Sequence, residues 1–293
     1  MECPVFWPSA AEFSDFEGFM RKVEGEVQHV GIARIVPPAG WRAMAATTID
    51  FRLGHPTSQK AIGREGVFWQ CNVTVPPATF QQYRAAAMSQ DACKGDTAFI
   101  EHRFWASLGT EPANGPVYAT EHGCSLFDDA AGQWDLRNVK GLLQNNVRPP
   151  IPGVTTPTLV AGMWRTFSAW HTEDYDLLAL NYLHPFQGAA GKHWYAIPAS
   201  QHARFERLCD GLFPGQRTSC PAFLRHRTFL VSPAILETAA IPFVRCVQRP
   251  GEFVVTFAGV YTAGFSAGFN VSETVNLATP SWIPRGLVLA LSQ

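Results

Sequence analysis

Three features that would assign the chain to a simple class are missing from its 293 residues. With 23 Lys and Arg against 24 Asp and Glu, the sequence has no basic excess, which excludes a protein that binds nucleic acid by charge alone. Its seven cysteines are odd in number and lack framework spacing, so we expect reduced thiols and an intracellular location. Neither a leader peptide nor an apolar run of membrane length is present, and we therefore expect a soluble protein.

What the sequence does contain favours many short strands over long helices. It has 24 Gly, 22 Pro and 12% aromatic residues, a composition typical of sheets connected by tight turns. One helix is marked by the capping box Ser9-x-x-Glu12, behind which Phe13 and Phe16 recur at helical spacing. We predict helices over residues 10–23, 133–143 and 199–208, strands over 31–36 and 229–231, a polar loop over 47–59 and a sheet-forming region from 99 to 108.

The segment from Trp170 to Pro198 contains the residues that point to chemistry. His171 and Glu173 are two apart, so in a strand both side chains face the same way. One imidazole and one carboxylate are two of the three ligands in the 2-His-1-carboxylate site that holds Fe(II), although such a pair alone is more often surface charge or a hydrogen-bonded core histidine. Lys192 opens a second apolar strand, where an ammonium is costly unless an anion meets it. A carboxylate co-substrate such as 2-oxoglutarate would supply that anion.

Longer motifs in the same segment are those of a known family. The runs His-Thr-Glu-Asp from His171, Asn-Tyr-Leu-His from Asn181, Lys-x-Trp-Tyr-Ala-Ile-Pro from Lys192 and Phe-Leu-Arg-His from Phe223 resemble the JmjC domain of histone lysine demethylases. Upstream, Pro-Ser-x-x-Glu-Phe-x-Asp-Phe from Pro8 is similar to JmjN. The resemblance implies a mainly β fold with helices (α+β), in which a double-stranded β-helix (jelly-roll, cupin-like) barrel carries an N-terminal helix-strand unit. It divides the chain into JmjN at 4–46, a mixed α/β region at 47–127 and JmjC at 128–293.

The resemblance also implies the cofactors and the residues of the site. Members of the family use Fe(II) and 2-oxoglutarate to oxidise a methyl group on a histone lysine. By position, iron would bind His171 and Glu173, with Thr262 at the third ligand position, and 2-oxoglutarate would bind Tyr118, Asn181 and Lys192. The methyl-lysine peptide would lie against Asn72, Gly153, Thr274 and Asn276, and Cys220 and His226 would form part of a structural Zn(II) site.

The sequence departs from the family pattern at several of these positions. Thr262 stands where the family has its second histidine ligand, and no histidine follows His226, so iron should bind weakly. Ser168 replaces a phenylalanine that packs on 2-oxoglutarate, and Val160 replaces a tyrosine of the methyl-lysine pocket. Only two of the four zinc ligands are present, since Ser292 stands at one of the other positions. That pair is as readily a free cysteine beside a hydrogen-bonded histidine.

Three functions remain open on the sequence alone. The first, implied by the resemblance, is a demethylase of the histone H3 tail that acts on chromatin in the nucleus, at the ninth or thirty-sixth lysine in its tri- or dimethylated form. The second is an inactive JmjC module that binds chromatin, which Thr262 favours. The third is a hydroxylase of another protein, because a fold does not fix its substrate. Neither sequence-specific DNA binding nor a membrane is implied.

Overall fold

β-Strands form most of the framework of the protein, as its composition predicts. The computed structural model describes residues 1–44, 52–89, 94–110 and 115–291. The strands are β1 (Val5–Phe6), β2 (Ile32–Ile35), β3 (Arg52–Leu53), β4 (His55–Arg64), β5 (Val67–Thr74), β6 (Ala78–Thr79), β7 (Val117–His122), β8 (Thr158–Gly162), β9 (Phe167–His171), β10 (Leu178–Leu183), β11 (Lys192–Ile197), β12 (Phe229–Val231), β13 (Val244–Gln248), β14 (Phe253–Thr256), β15 (Tyr261–Ser266) and β16 (Asn270–Leu277). The helices are α1 (Ala10–Phe13), α2 (Phe16–Val27), α3 (Phe80–Ser89), α4 (Thr97–Ser107), α5 (Leu142–Asn146), α6 (His202–Leu212), α7 (Pro214–Ser219), α8 (Pro233–Thr238) and α9 (Ile283–Leu291).

Two sheets enclose the interior. The larger has ten strands in the order β1-β2-β14-β10-β16-β8-β7-β4-β5-β12, and the smaller has four in the order β13-β11-β15-β9. The short pair β3-β6 forms a third sheet. The predicted α+β jelly-roll architecture is confirmed, but in the described chain no strand joins the two larger sheets into a closed barrel. The same ranges include no helix with the length and apolar character needed to cross a membrane.

The N-terminal segment contains two short helices in place of the single predicted one. Ser9 caps α1 as predicted, since its hydroxyl accepts from the Glu12 N–H (3.2 Å) and the Glu12 carboxylate accepts from the Ser9 N–H (3.0 Å). The helix then ends at Ser14, and Asp15 caps α2 by accepting from the Gly18 N–H (3.0 Å). Strand β2 follows and pairs antiparallel with β14. The segment is therefore built into the larger sheet.

The sheet-forming region predicted from residue 99 to 108 is wrong, because α4 occupies it. Its first turn is capped by Asp96, whose carboxylate accepts from the Phe99 N–H (2.8 Å). Phe104 points inward and stacks on Phe265 of β15 at a centroid distance of 4.0 Å. The helix thus packs on the smaller sheet through this ring.

Two further local predictions fail, and three hold. The loop predicted over 47–59 lies partly outside the described residues, and from residue 52 onward it is wrong because β3 and β4 begin there. The helix predicted over 133–143 is also wrong. A 3₁₀ helix at Asp129–Trp134, interrupted by Gly132 at φ 59, ends where it should start. Helix α6 and strands β2 and β12 confirm the predictions made for their segments.

Truncating Phe13 to Ala should lower the free energy of unfolding by about 3 to 5 kcal/mol, because the ring is buried and stacks on the Trp134 indole at 4.1 Å. Urea unfolding followed by tryptophan fluorescence measures the loss. Phe99→Ala is the matched control, since that ring is 48% exposed and its removal should cost no more than about 0.5 kcal/mol. Equal losses in the two variants would show that the N-terminal helices are not part of the core.

Candidate active site

His171 ends strand β9 and lines a cavity of about 460 Å³ that residues of both larger sheets surround. The residue is buried, with 9% of its surface exposed. Its Nδ1 lies 2.7 Å from the Ala169 carbonyl oxygen, an acceptor only, so Nδ1 carries a proton and donates it. This hydrogen bond fixes the orientation of the ring and leaves Nε2 as the atom that can bind a metal.

Glu173 lies in the turn after β9 and not in the strand itself, so the prediction that it shares a strand with His171 is wrong. A 3₁₀ helix at Asp174–Asp176 begins directly after it. The two side chains nevertheless meet, since Glu173 Oε1 lies 3.5 Å from His171 Nε2. The other carboxylate oxygen, Oε2, accepts from Asn276 Nδ2 (3.2 Å) and Arg227 Nη2 (3.5 Å). One oxygen is therefore held by the protein, and the other faces the imidazole.

The electrostatics of this pair suit a bound cation. Burial raises the pKa of Glu173, but the hydrogen bond and charge of His171, the charge of Arg227 and the Asn276 amide outweigh burial and hold the pKa at about 2. The carboxylate is thus ionised. His171 Nε2 and Glu173 Oε1 face each other at 3.5 Å, so either a proton on Nε2 or a metal cation can lie between them. The pair fits Fe(II) as two of its ligands.

Thr262 lies directly opposite His171 in the β15–β9 ladder, so both side chains point to the same side of the smaller sheet. A third metal ligand would come from this position, and a neutral hydroxyl is a poor ligand beside an imidazole. The pairing of the two strands slips by one residue between Thr262 and Gly264, so the register that sets Thr262 opposite His171 does not continue along the ladder. Within the described ranges no group of three or more His, Cys, Asp or Glu side chains could hold a metal. The donor set therefore fits iron through two side chains.

Lys192 opens β11, as predicted, and its side chain lies in the same cavity. Burial lowers its pKa to about 8. The ammonium lies 4.8 Å from the centre of the Trp194 ring, and no carboxylate of the described residues pairs with it. A desolvated ammonium without an anionic partner is costly, and an anionic ligand that pairs with it would relieve that cost.

Asn181 and Tyr118 lie on the wall formed by the larger sheet. Asn181 is 4% exposed, and its Oδ1 is buried without a hydrogen-bond partner among the described atoms. An amide in this state is costly unless a ligand satisfies it, and a half-turn of the amide presents Nδ2, a donor to a carboxylate. Tyr118, in β7, lines the same cavity. The structure thus brings both residues to the space that Lys192 enters.

The residues predicted to contact a peptide also line this cavity, but one of them has a different partner. Gly153 has φ 78, and a Cβ there would lie 2.9 Å from the His122 ring, so only glycine fits. Asn276 donates to the Glu173 carboxylate, which makes it an orienting group for the metal ligand. The cavity-lining residues of this predicted set are Asn72, Gly153, Thr274 and Asn276.

The structure brings together Cys220 and His226, the two residues of the predicted partial zinc site. Cys220 Sγ lies 3.6 Å from His226 Nε2. Ser292, at the third zinc position, lies outside the described residues. A thiol and an imidazole at this distance satisfy each other as hydrogen-bond partners, and two ligands do not complete the usual four-coordinate site. The zinc ligands stay a prediction.

Two residues of the site were missed by the sequence analysis. Trp194 carries a detectable signal, because it lies two residues after Lys192 on the same face of a strand. Arg227 has no such signal in the sequence. It reaches Glu173 across 54 residues of sequence from a left-handed backbone position (φ 55) that no local pattern announces.

Comparison with known proteins finds two family models in the chain. The model described as JmjC domain, hydroxylase, matches residues 158–277, and the jmjN domain model matches residues 4–37. Probable lysine-specific demethylase 4F of Homo sapiens is 39% identical over 97% of the chain, which spans 45% of that protein. Lysine-specific demethylase 4B of Mus musculus is 39% identical over 97% of the chain, which spans 26% of it. Lysine-specific demethylase 4D of Rattus norvegicus is 40% identical over 97% of the chain, which spans 56% of it.

Replacing Lys192 with Met should raise the free energy of unfolding at pH 7 by roughly 1 to 3 kcal/mol, because a desolvated ammonium is removed and the lost Trp194 contact offsets only part of the gain. The folded pKa is about 8 and lies below the unfolded value. The lysine therefore destabilises the fold fully below pH 8, and its effect fades as the pH rises toward about 10.

Urea unfolding of both proteins at pH 7 and pH 9.5 measures this difference. Lys22→Met, at an exposed lysine of α2, is the control and should change little at either pH. A loss of stability at pH 7 in Lys192→Met would mean that the ammonium is already compensated within the fold.

Proposed function

The chain belongs to the JmjN/JmjC-domain family that includes the lysine-specific demethylases, and on that premise we propose that it is a Fe(II)- and 2-oxoglutarate-dependent histone lysine demethylase with weakened metal binding. The chain spans about a quarter to just over half of the length of the three relatives compared above. The activity proposed for it rests on the residues of its own cavity.

The observation that carries the proposal is the convergence of two incomplete ion sites in one cavity. At one end, His171 and Glu173 offer two metal ligands 3.5 Å apart. At the other, Lys192 lacks an anionic partner within the described chain, and Asn181 lacks a hydrogen-bond partner for its Oδ1. A dicarboxylate that also binds the metal would satisfy both ends at once, and 2-oxoglutarate has that chemistry.

Each residue then has a distinct task. Iron(II), if bound by His171 and Glu173, would supply the oxidising chemistry in which one atom of O₂ hydroxylates an N-methyl group, later lost as formaldehyde, while 2-oxoglutarate takes the other atom and becomes succinate and CO₂. Lys192 would pair with a carboxylate of 2-oxoglutarate, and the Tyr118 hydroxyl would donate to it. Asn276 and Arg227 hold Glu173 Oε2, so that Oε1 keeps its direction toward the metal.

The peptide side of the cavity supports a methylated lysine as substrate. Gly153 lines this part of the cavity, and Thr274, Asn276 and Asn72 offer polar contacts along its wall. We propose the H3 tail, at its ninth or thirty-sixth lysine, as the peptide, and the nucleus as the place of action. Near-neutral net charge suits this better than direct binding to DNA.

Thr262 supports a second candidate function, a module that binds methylated chromatin without turnover. Two side-chain ligands hold a metal less firmly than three, and the hydroxyl opposite His171 adds little. The residues proposed to contact the peptide do not need the metal for those contacts, so the protein could bind the histone tail without catalysing a reaction on it.

Restoring the third ligand with Thr262→His should raise Fe(II) affinity at least about 10-fold, because the new imidazole projects beside His171 from the paired strand. Anaerobic titration with Fe(II) in the presence of 2-oxoglutarate, followed by the visible absorption band of the chelate, measures this affinity. Thr218→His, on the exposed helix α7, controls for adventitious binding by an added histidine. Unchanged affinity in Thr262→His would place the metal elsewhere.

With a methylated H3 tail peptide, the protein should convert 2-oxoglutarate to succinate slowly and release formaldehyde in equal amount. Thr262→His should increase both by about 10-fold or more, and Glu173→Ala should abolish both. Mass spectrometry of peptide and succinate gives the rates. Succinate with a hydroxylated product and no formaldehyde would indicate a protein hydroxylase. Peptide binding with no succinate in either protein would support the module without turnover.

A further inference from the structure

The turn that carries Glu173 has an uncommon backbone. Tyr175 and Asp176, both non-glycine residues, adopt left-handed φ values of 51° in succession. Such residues are strained and persist only where surrounding contacts determine the conformation. The direction of the Glu173 carboxylate depends on this turn, because the Asp176 N–H donates to the Glu173 carbonyl (2.9 Å). The contacts that hold the turn therefore bear on the metal pair.

The strongest of those contacts is made by Arg285 of helix α9. Asp176 is 2% exposed, and its Oδ2 accepts from Arg285 Nη2 (2.7 Å) and Nε (2.8 Å). Arg225 adds a longer contact to Oδ1 (3.4 Å). A buried carboxylate needs such partners, and charge-assisted bonds of this length are the strong ones. Arg285 is thus the main partner of the turn.

Arg285 also bears on the strand that carries Thr262. The Gly259 N–H, three residues before Thr262, donates to the Asp176 carbonyl (3.0 Å). Gly259 has φ 70, and a Cβ there would lie 2.1 Å from the Arg285 Cζ, so the guanidinium occupies space that only glycine leaves open. The same arginine therefore packs between the turn after His171 and the turn before Thr262.

Helix α9 is itself fixed at its start. The Trp282 indole N–H donates to the Tyr175 carbonyl (2.9 Å). Glu24 of α2, only 7% exposed, accepts from the hydroxyls of Thr279 (2.8 Å) and Ser281. The N-terminal helix pair thus anchors the segment that leads into α9, and α9 in turn holds the turn of Glu173.

We propose that Arg285 is a positioning residue for the metal pair, and that it sets the Glu173 carboxylate against His171 by holding Asp176. This inference rests on the proposed function, since it assigns the residue to the same metal site. The same inference assigns a role to helix α2, because Glu24 hydrogen-bonds the segment that leads into α9, the helix from which Arg285 projects.

The test compares Arg285→Ala with Arg137→Ala. Arg137 is a close match, because its guanidinium also binds a carboxylate that is 2% exposed, that of Asp135 (2.6 Å), away from the cavity. Mn(II) is the probe, since imidazole and carboxylate bind it and the free ion is counted by its electron paramagnetic resonance signal. Arg285→Ala should bind Mn(II) roughly 10-fold more weakly than the parent protein, and Arg137→Ala should bind it equally well. Arg285→Lys should recover part of the loss.

A second measurement needs no metal. Amide hydrogen exchange at Asp176 and Leu177, whose N–H groups donate within the turn, should be about 10-fold faster or more in Arg285→Ala and unchanged in Arg137→Ala. Both measurements are repeated in a Thr262→His background, where the third ligand makes the site measurable even if the natural one is too weak.

The outcomes separate the two proposals. Absence of Mn(II) binding in the parent protein together with binding in Thr262→His would count against the proposed catalytic function and leave the role of Arg285 to be judged in that background. Unchanged exchange in the turn after Arg285→Ala would overturn the inference in either background. Equal weakening of Mn(II) binding by Arg137→Ala would also overturn it, because the effect would then be one of general stability.

Discussion

The pairing of β15 with β9 is the constraint on which the site depends. It sets Thr262 opposite His171, so the position of the third ligand is fixed by backbone hydrogen bonds whatever side chain stands there. A substitution at this position changes the side-chain donor but leaves the backbone around it in place. At the proposed metal site, the departure from the family pattern therefore lies in the side chain at this position and not in the backbone around it.

The two ends of the cavity differ in how completely they are built. The proposed co-substrate site has a desolvated ammonium at Lys192 and an unsatisfied amide at Asn181, and both remain costly until a ligand arrives. The proposed metal site has an imidazole oriented by its Nδ1 hydrogen bond and an oriented carboxylate, but only two side-chain donors. A dicarboxylate bound as proposed would therefore depend less on the metal for its affinity than one in a site with three side-chain ligands.

Strand alternation was enough to predict part of this site. It places Lys192 at the start of β11 and, had it been applied further, Trp194 on the same face. It failed at Glu173, where the strand ends and Tyr175, a residue with no preference for the left-handed region, adopts it. The contacts of Arg227 and Arg285 join distant segments, which local patterns do not encode. Helix α4 was missed because Asp96 was not recognised as its cap.

The difference between the Lys192 ammonium and the His171–Glu173 pair as binding groups bears on how small molecules would distinguish this protein from its relatives. If iron is held by two side chains, as proposed, inhibitors whose affinity comes from chelating it would bind poorly, because Thr262 offers only a neutral hydroxyl at the third position. Compounds that gain most of their affinity from a carboxylate on the ammonium and from packing on the Trp194 ring would lose much less. Selectivity within the family can thus be designed by choosing which end of the cavity a molecule uses.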